Sequence, residues 1–298
     1  MRPILQRIFA VALALGVFVP HARAAEQKLR VVASFSVLAD LVRNVGGDRI
    51  ELSTLVGPDG DAHVYSPTPA DAKTVASAKL VIINGLGFEG WLPRLVESTG
   101  NHAKVEEAAN GIMPRHGTGP DADKIDPHAW QSVANVKTYV ANIRDALSEA
   151  DPDGGDIYAT NASRYLKQLD ALEREIRSGV AAIPSQRRQV VTIHDAFGYF
   201  ADAYGITFVA PQGVSTDTEP TASDIAAIVL LIRIARVPAV FPEKVGDPRL
   251  IGRIAAETGA KLGGTLYSDS LTGPDGDAPT YIQMMDHNIR ELTRALVN

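Results

Sequence analysis

The chain has 298 residues, of which 45% are hydrophobic and 21% charged, and its formal net charge is −6. This length and composition are typical of a globular protein of about two domains, and the mild acidity argues against nucleic acid as a partner. The sequence contains no cysteine, so the fold must be stable on its hydrophobic core without disulfides.

The first 24 residues are typical of a secretory signal peptide. Arg2 and Arg7 precede an apolar run over residues 8–19, and an Ala-Arg-Ala sequence at 22–24 fits a cleavage site. The apolar run is too short for a stable membrane-spanning helix. We therefore expect cleavage before Ala25 and a periplasmic product, and because no cysteine is present we expect no lipid anchor.

Residues 25–155 alternate between short apolar segments and helical patterns. The predicted strands are residues 29–34, 50–56 and 79–84. A helix is predicted over 37–45, where the Gly46-Gly47 pair ends it. A second helix begins at Pro69, with Thr68 as its N-cap. Alternation of this kind predicts a parallel sheet covered by helices.

Residues 156–183 interrupt this alternation with one long helical pattern that Pro184 ends. Strand and helix patterns then resume over 184–298. The predicted strands are residues 189–193, 206–209, 239–241 and 261–266, and the predicted helices are 196–203, 222–235, 248–258 and one from about 278. The sequence thus predicts two α/β lobes, 25–155 and 184–298, with mainly parallel sheets joined by one long rigid α-helix at 156–183.

Three of the seven histidines occupy the same kind of position. His63, His128 and His194 each lie where a predicted strand leads toward a helix, and ligands of α/β sheets gather at the carboxyl ends of strands. Taken singly, each of the three is explained better as an ordinary loop histidine than as a ligand. For the others a solvated or locally bonded imidazole is the simpler interpretation; they are His21 in the signal peptide, His102, His116 and His287.

Neutral imidazoles suit zinc and related ions, and structural zinc sites favour four ligands. The fourth candidate is Asp269, which follows the strand predicted to end near Leu266, although a turn or N-cap role explains it when it is considered alone. No catalytic zinc motif such as H-E-x-x-H is present. Four protein ligands would leave no coordination position for a reactive water, so binding is favoured over catalysis.

Several segments, among them DAHVYSPTPAD, IDPHAW, IHDAFGYFADAYGI and LYSDSL, resemble the cluster A-I metal-binding solute-binding proteins of ABC importers. These are bacterial receptors for zinc and manganese, and the resemblance extends in order over nearly the whole mature chain. It implies a buried metal site between two lobes, with His63, His128, His194 and Asp269 as ligands. It also implies a membrane permease and its cytoplasmic ATPase as partners.

The resemblance favours zinc as the transported ion. In this family the third ligand is His in zinc-type members and often Glu in manganese-type ones, so His194 implies Zn²⁺, with Mn²⁺ as the alternative. Many zinc-type relatives carry a long His-rich loop that is here the short segment 113–126. We expect a monomer that can receive metal from another periplasmic protein. An exported metallohydrolase and a metal-stabilised scaffold are the alternatives from other functional classes.

Overall fold

The structure is a computed structural model that describes residues 28–100 and 103–297. The predicted signal peptide at 1–24, His21 and His102 lie outside the described residues. The strands are β1 (Leu29–Phe35), β2 (Ile50–Val56), β3 (Leu80–Ile83), β4 (Lys104–Glu107), β5 (Arg115–His116), β6 (Ile125–Asp126), β7 (Gln189–Val191), β8 (Thr207–Val209), β9 (Ala239–Val240) and β10 (Lys261–Leu262). The α-helices are α1 (Ser36–Gly46), α2 (Pro69–Ser77), α3 (Leu92–Thr99), α4 (Val133–Ala150), α5 (Gly155–Ala182), α6 (Gly198–Tyr204), α7 (Ala222–Ala235), α8 (Pro248–Thr258) and α9 (Tyr281–Leu296).

Each lobe is built on a four-stranded parallel sheet. The order is β2-β1-β3-β4 in the N-terminal lobe and β10-β9-β7-β8 in the C-terminal lobe. Numbered within its own lobe, the second sheet has the same order as the first, with its first strand between the second and the third. The 28-residue helix α5 joins the two lobes. The fold confirms the predicted class of two α/β lobes joined by one long helix.

Local side-chain chemistry determines where several helices begin. Thr68 and Asp71 form a capping box at the start of α2, and Thr221 and Asp224 form another at the start of α7. Strand β10 is shorter than predicted, because glycine weakens a strand and Gly263, where a Cβ atom would lie 2.3 Å from the Phe241 ring, follows Leu262. Beyond that close approach only a single bridge between Glu243 and Leu266 remains.

One hydrophobic core runs through both lobes. It contains buried side chains of β1, α1, α4 and α5 and continues into α6 and α9. Smaller cores cover the outer face of each sheet, under α2 and α3 in the N-terminal lobe and under α7 and α8 in the C-terminal lobe. A large hydrophobic interface of this kind opposes free motion of one lobe against the other.

Among the described residues, no helix combines the length and the apolar character needed to cross a membrane.

Candidate metal centre

The structure brings all four predicted ligands into one cluster. His63, His128, His194 and Asp269 each offer a ligand atom, and these atoms all lie within 4.8 Å of one another. Each residue lies in a segment that leads from a strand to a helix, as the sequence predicts. The side chains of His128, His194 and Asp269 are fully buried, and that of His63 is 4% exposed.

Two further histidines lie apart from the cluster. His116 is exposed in β5, where it pairs with Ile125. The His287 ring lies 2.9 Å from the carbonyl oxygen of Thr265. These positions agree with the prediction that His116 and His287 are solvated or locally bonded rather than metal ligands.

Asp269 lies at the centre of the cluster. Its Oδ2 is 3.0 Å from His194 Nε2 and 3.4 Å from His63 Nε2, and its Oδ1 is 3.5 Å from His128 Nε2. The Nε2 atoms of His63 and His128 are 3.2 Å apart. Ligand atoms held tetrahedrally at about 2.0–2.1 Å from a zinc ion would be about 3.3–3.4 Å apart. The observed separations bracket that spacing.

A carboxylate supports the imidazole of His128. Asp126 Oδ1 lies 2.8 Å from Nδ1 of the ring and accepts the backbone N–H of His128 at 2.9 Å. Pro127 between them is held by Asn84, whose side-chain amide donates to the Pro127 carbonyl oxygen at 2.9 Å. Partners of this kind fix the ring so that Nε2 faces the cluster.

A second carboxylate supports His194. Glu243 Oε2 lies 2.8 Å from Nδ1 of the ring, without hydrogen-bond alignment, and Oε1 accepts the backbone N–H groups of Ile193 and His194. Asp195, the residue after His194, accepts a hydrogen bond from Thr118. His63 is held differently, because its backbone N–H donates to Asp61 and its ring packs edge-on against Phe88.

The buried polar atoms of the cluster fit a cation. Both carboxylate oxygens of Asp269 and Nε2 of His194 are buried without a hydrogen-bond partner. An unsatisfied buried polar atom costs about 1–3 kcal/mol, so such atoms are uncommon in native proteins. A cation shared by Asp269 and the three Nε2 atoms would satisfy them together.

Burial and mutual charge set the protonation of the metal-free cluster. Burial alone would lower the pKa of His194, but the carboxylates of Glu243 and Asp269 raise it well above its usual value. Burial alone would raise the pKa of Asp269, but His194 and His128 hold it well below its usual value. Burial lowers the pKa of His63. In the metal-free site these shifts favour the protonated form of His194, the ionised form of Asp269 and the neutral form of His63.

Zinc binding is expected to release a proton, because the raised pKa of His194 favours a protonated ring and the metal must displace that proton. Affinity should fall as pH decreases below that pKa. The measurement is calorimetric titration in two buffers of different ionisation enthalpy. Glu243→Gln removes one of the carboxylates that raise the pKa and should reduce the release. Equal binding enthalpies in both buffers would contradict the assignment.

Trp130 forms the base of the site and both packs against His128 and makes a hydrogen bond to the segment of Asp269. Its indole N–H donates to the Ser268 carbonyl oxygen at 2.8 Å, and the side-chain amide of Gln131 donates to the same oxygen. Its ring contacts Phe35, Phe88 and His128. These contacts hold the residue before Asp269 in place. No local sequence pattern signals them, because Trp130 and Ser268 are 138 residues apart.

Comparison with known proteins identifies relatives over most of the chain. Residues 31–295 match the family described as zinc-uptake complex component A, periplasmic. The manganese-binding lipoprotein MntA of Halalkalibacterium halodurans is 37% identical over 88% of this chain and 86% of its own. The iron-binding protein YfeA of Yersinia pestis is 32% identical over 90% and 86%. The solved structure of the periplasmic zinc-binding protein TroA from Treponema pallidum has a TM-score of 0.86 and 28% identity, covering 91% of this chain and 100% of TroA.

These relatives correct one prediction. MntA of H. halodurans and several further relatives are named lipoproteins, so the expectation of no lipid anchor is wrong. That expectation was drawn from the absence of cysteine in the 298 residues. Composition alone was too weak a basis for excluding attachment to a membrane.

The family match spans the described lobes, the linking helix and all four clustered residues. Members of this family are substrate-binding proteins, which confirms the prediction that the chain is not an enzyme. The chain belongs to the family of periplasmic zinc-uptake complex component A proteins, as the resemblance to metal-binding solute-binding proteins of ABC importers implies.

Proposed function

We propose that this chain is a receptor that binds Zn²⁺ with His63, His128, His194 and Asp269 and delivers it to the permease of an ABC importer. Family membership already identifies a periplasmic metal-binding receptor of an ABC transporter, without specifying the metal. The observation that carries the proposal is the convergence of three imidazole nitrogens and one carboxylate, whose ligand atoms all lie within 4.8 Å of one another, with four of the separations at 3.0–3.5 Å.

The choice of zinc rests on the ligand set. Three imidazoles and one carboxylate suit zinc, whereas manganese prefers sites richer in oxygen. Four ligand-atom separations of 3.0–3.5 Å are also close to those expected in a tetrahedral zinc site. The names of relatives do not choose between metals, since MntA is named for manganese, YfeA for iron and TroA for zinc. Mn²⁺ is the alternative cargo.

The proposed division of the chain explains how the ion is held. Residues 25–155 form the N-terminal lobe with His63 and His128, and 184–298 form the C-terminal lobe with His194 and Asp269. Helix 156–183 links them. A bound ion would therefore join the two lobes, which suits reversible capture. The proposal also includes export through a signal peptide at 1–24, a monomeric state, a cytoplasmic ATPase that drives the permease, and a metal-donating periplasmic protein.

Titration of chelator-treated protein tests this function. We expect tight binding of Zn²⁺ and preference for Zn²⁺ over Mn²⁺ at matched free concentrations, in the direction of the Irving–Williams order. His194→Ala should weaken zinc binding by about 100-fold or more, since it removes one of four ligands. His116→Ala replaces an exposed histidine outside the cluster and serves as the control.

The outcomes of this titration are distinct. Absence of tight zinc binding by the wild type, or an unchanged affinity in His194→Ala, would refute the zinc site. Equal binding of Mn²⁺ and Zn²⁺ would replace the zinc receptor with one of mixed specificity.

A further inference from the structure

The short hairpin formed by β5 and β6, residues 115–126, reaches from the N-terminal lobe onto the C-terminal lobe. Its contacts with that lobe involve both backbone and side chains. They are Arg115 N–H to Tyr199 Oη at 3.0 Å, Arg115 Nε to Asp202 Oδ2 at 3.1 Å, Thr118 Oγ1 to Asp195 Oδ2 at 2.8 Å, and Val214 N–H to Asp121 Oδ2 at 2.9 Å. The hairpin therefore connects the two lobes through these hydrogen bonds.

The hairpin fits closely against the C-terminal lobe. A Cβ atom at Gly198, the first residue of α6, would lie 1.7 Å from Arg115 Nη1 and 2.6 Å from Asp126 Oδ2. A Cβ atom at Gly213 would lie 1.8 Å from Asp121 Oδ2. The bare backbone at these two positions lets the charged side chains of the hairpin approach, so the contact is built into the fold.

Arg115 connects this interface to the metal site. Its Nη1 donates to Asp126 Oδ2 at 3.1 Å, and its Nε donates to Asp202 Oδ2 on α6. The other oxygen of Asp126 supports the ring of His128 at 2.8 Å. A continuous series of contacts thus joins α6, Arg115, Asp126 and His128.

Burial differs along this series. The Asp126 side chain is fully buried, that of Arg115 is 21% exposed and that of Asp202 is 65% exposed. Arg115 is thus the cation that compensates a buried carboxylate, and removing one member of such a pair is far more disruptive than removing an exposed charge.

We propose that Arg115 is a positioning residue for metal binding, which holds Asp126 against the His128 ring when the hairpin is docked on the C-terminal lobe. The inference rests on the proposed function, because it takes His128 as a ligand. It gives the hairpin a role in which its exposed His116 takes no part, because one side chain, Arg115, both contacts α6 of the C-terminal lobe and holds the carboxylate that supports a ligand. A movement that lifts the hairpin from α6 would remove Asp202 and Tyr199 from Arg115, whereas the contact between Arg115 and Asp126 lies within the hairpin.

The test compares zinc affinity and the state of the His128 ring in the full chain. Arg115→Ala should weaken zinc binding by about tenfold, the lower end of the loss typical when the support of a metal ligand is removed. Nitrogen-15 NMR of the histidine rings should show one Nδ1–H tautomer for His128 in the zinc-bound wild type and a broadened or mixed signal in Arg115→Ala. Gly198→Ala should act in the same direction, because its methyl group displaces the guanidinium.

Arg144→Ala is the matched control, since Arg144 pairs with Asp145 on the exposed face of α4. It should leave both measurements unchanged. Should Arg115→Ala fail to fold, Arg115→Lys takes its place, because it keeps a positive charge beside Asp126 and loses the planar fork that reaches both carboxylates. Wild-type zinc affinity and an unchanged His128 signal in the variant would overturn the role of Arg115. Failure of the wild type to bind zinc would instead overturn the proposed function.

Discussion

Replacing Asp269 with asparagine is expected to weaken Zn²⁺ binding by about 100- to 1,000-fold. Four-ligand structural zinc sites have binding free energies of about 10–16 kcal/mol, so one ligand contributes about 3–4 kcal/mol, or two to three orders of magnitude. Asp269 is the anionic member of the cluster and lies within 3.5 Å of all three imidazoles. Asparagine keeps its shape and removes its charge, so the effect should fall on the metal.

Competition against a chromophoric zinc chelator measures this loss. Asp247→Asn is a matched control, because Asp247 is the exposed N-cap of α8 and asparagine caps helices about as well as aspartate. The control should bind zinc as the wild type does. Wild-type affinity in Asp269→Asn would exclude Asp269 as a ligand.

Local signals explain why much of the fold could be predicted. The capping residues Thr68 and Thr221 act within three residues of themselves, so the starts of α2 and α7 follow from a short stretch of sequence. The long helix α5 has a sustained apolar periodicity and a proline just after its end. By contrast, β5 and β6 have two residues each, which is too short for any periodic pattern to appear. Arg115 of β5 also contacts Tyr199 and Asp202 of the other lobe, which lie 84 and 87 residues away along the chain.

In the metal site, too, some residues could be predicted from local sequence and others are placed by contacts between distant parts of the chain. His63, His128, His194 and Asp269 could be selected because each follows a strand and because the surrounding segments resemble a known family. The residues that orient them were only partly accessible to sequence reasoning. Asp126 is two residues from His128, whereas Arg115 contacts Asp126 from 11 residues away and Asp202 from 87 residues away. Distances of that kind along the chain leave no local pattern, so the three-dimensional structure is needed to find Arg115.

Trp130→Ala is expected to destabilise the metal-free protein by about 3–5 kcal/mol, the usual cost of truncating a buried tryptophan. Trp130 is fully buried, and it lies between the lobes, where its ring contacts Phe35 and Phe88 and its indole N–H donates to the Ser268 carbonyl oxygen. The measurement is urea unfolding of chelator-treated protein. Because one core runs through both lobes, we expect a single unfolding transition that moves to lower urea concentration.

Trp130→Phe separates the packing contribution of Trp130 from its hydrogen bond. Phenylalanine keeps an aromatic ring against Phe35 and Phe88, and the amide of Gln131 still donates to the Ser268 carbonyl oxygen, so that oxygen is not left unsatisfied. We therefore expect a smaller loss of about 1–2 kcal/mol. An equal loss in both variants would assign the stabilisation to the indole hydrogen bond. Two separate transitions in either variant would show that the lobes unfold independently, against the argument from the shared core.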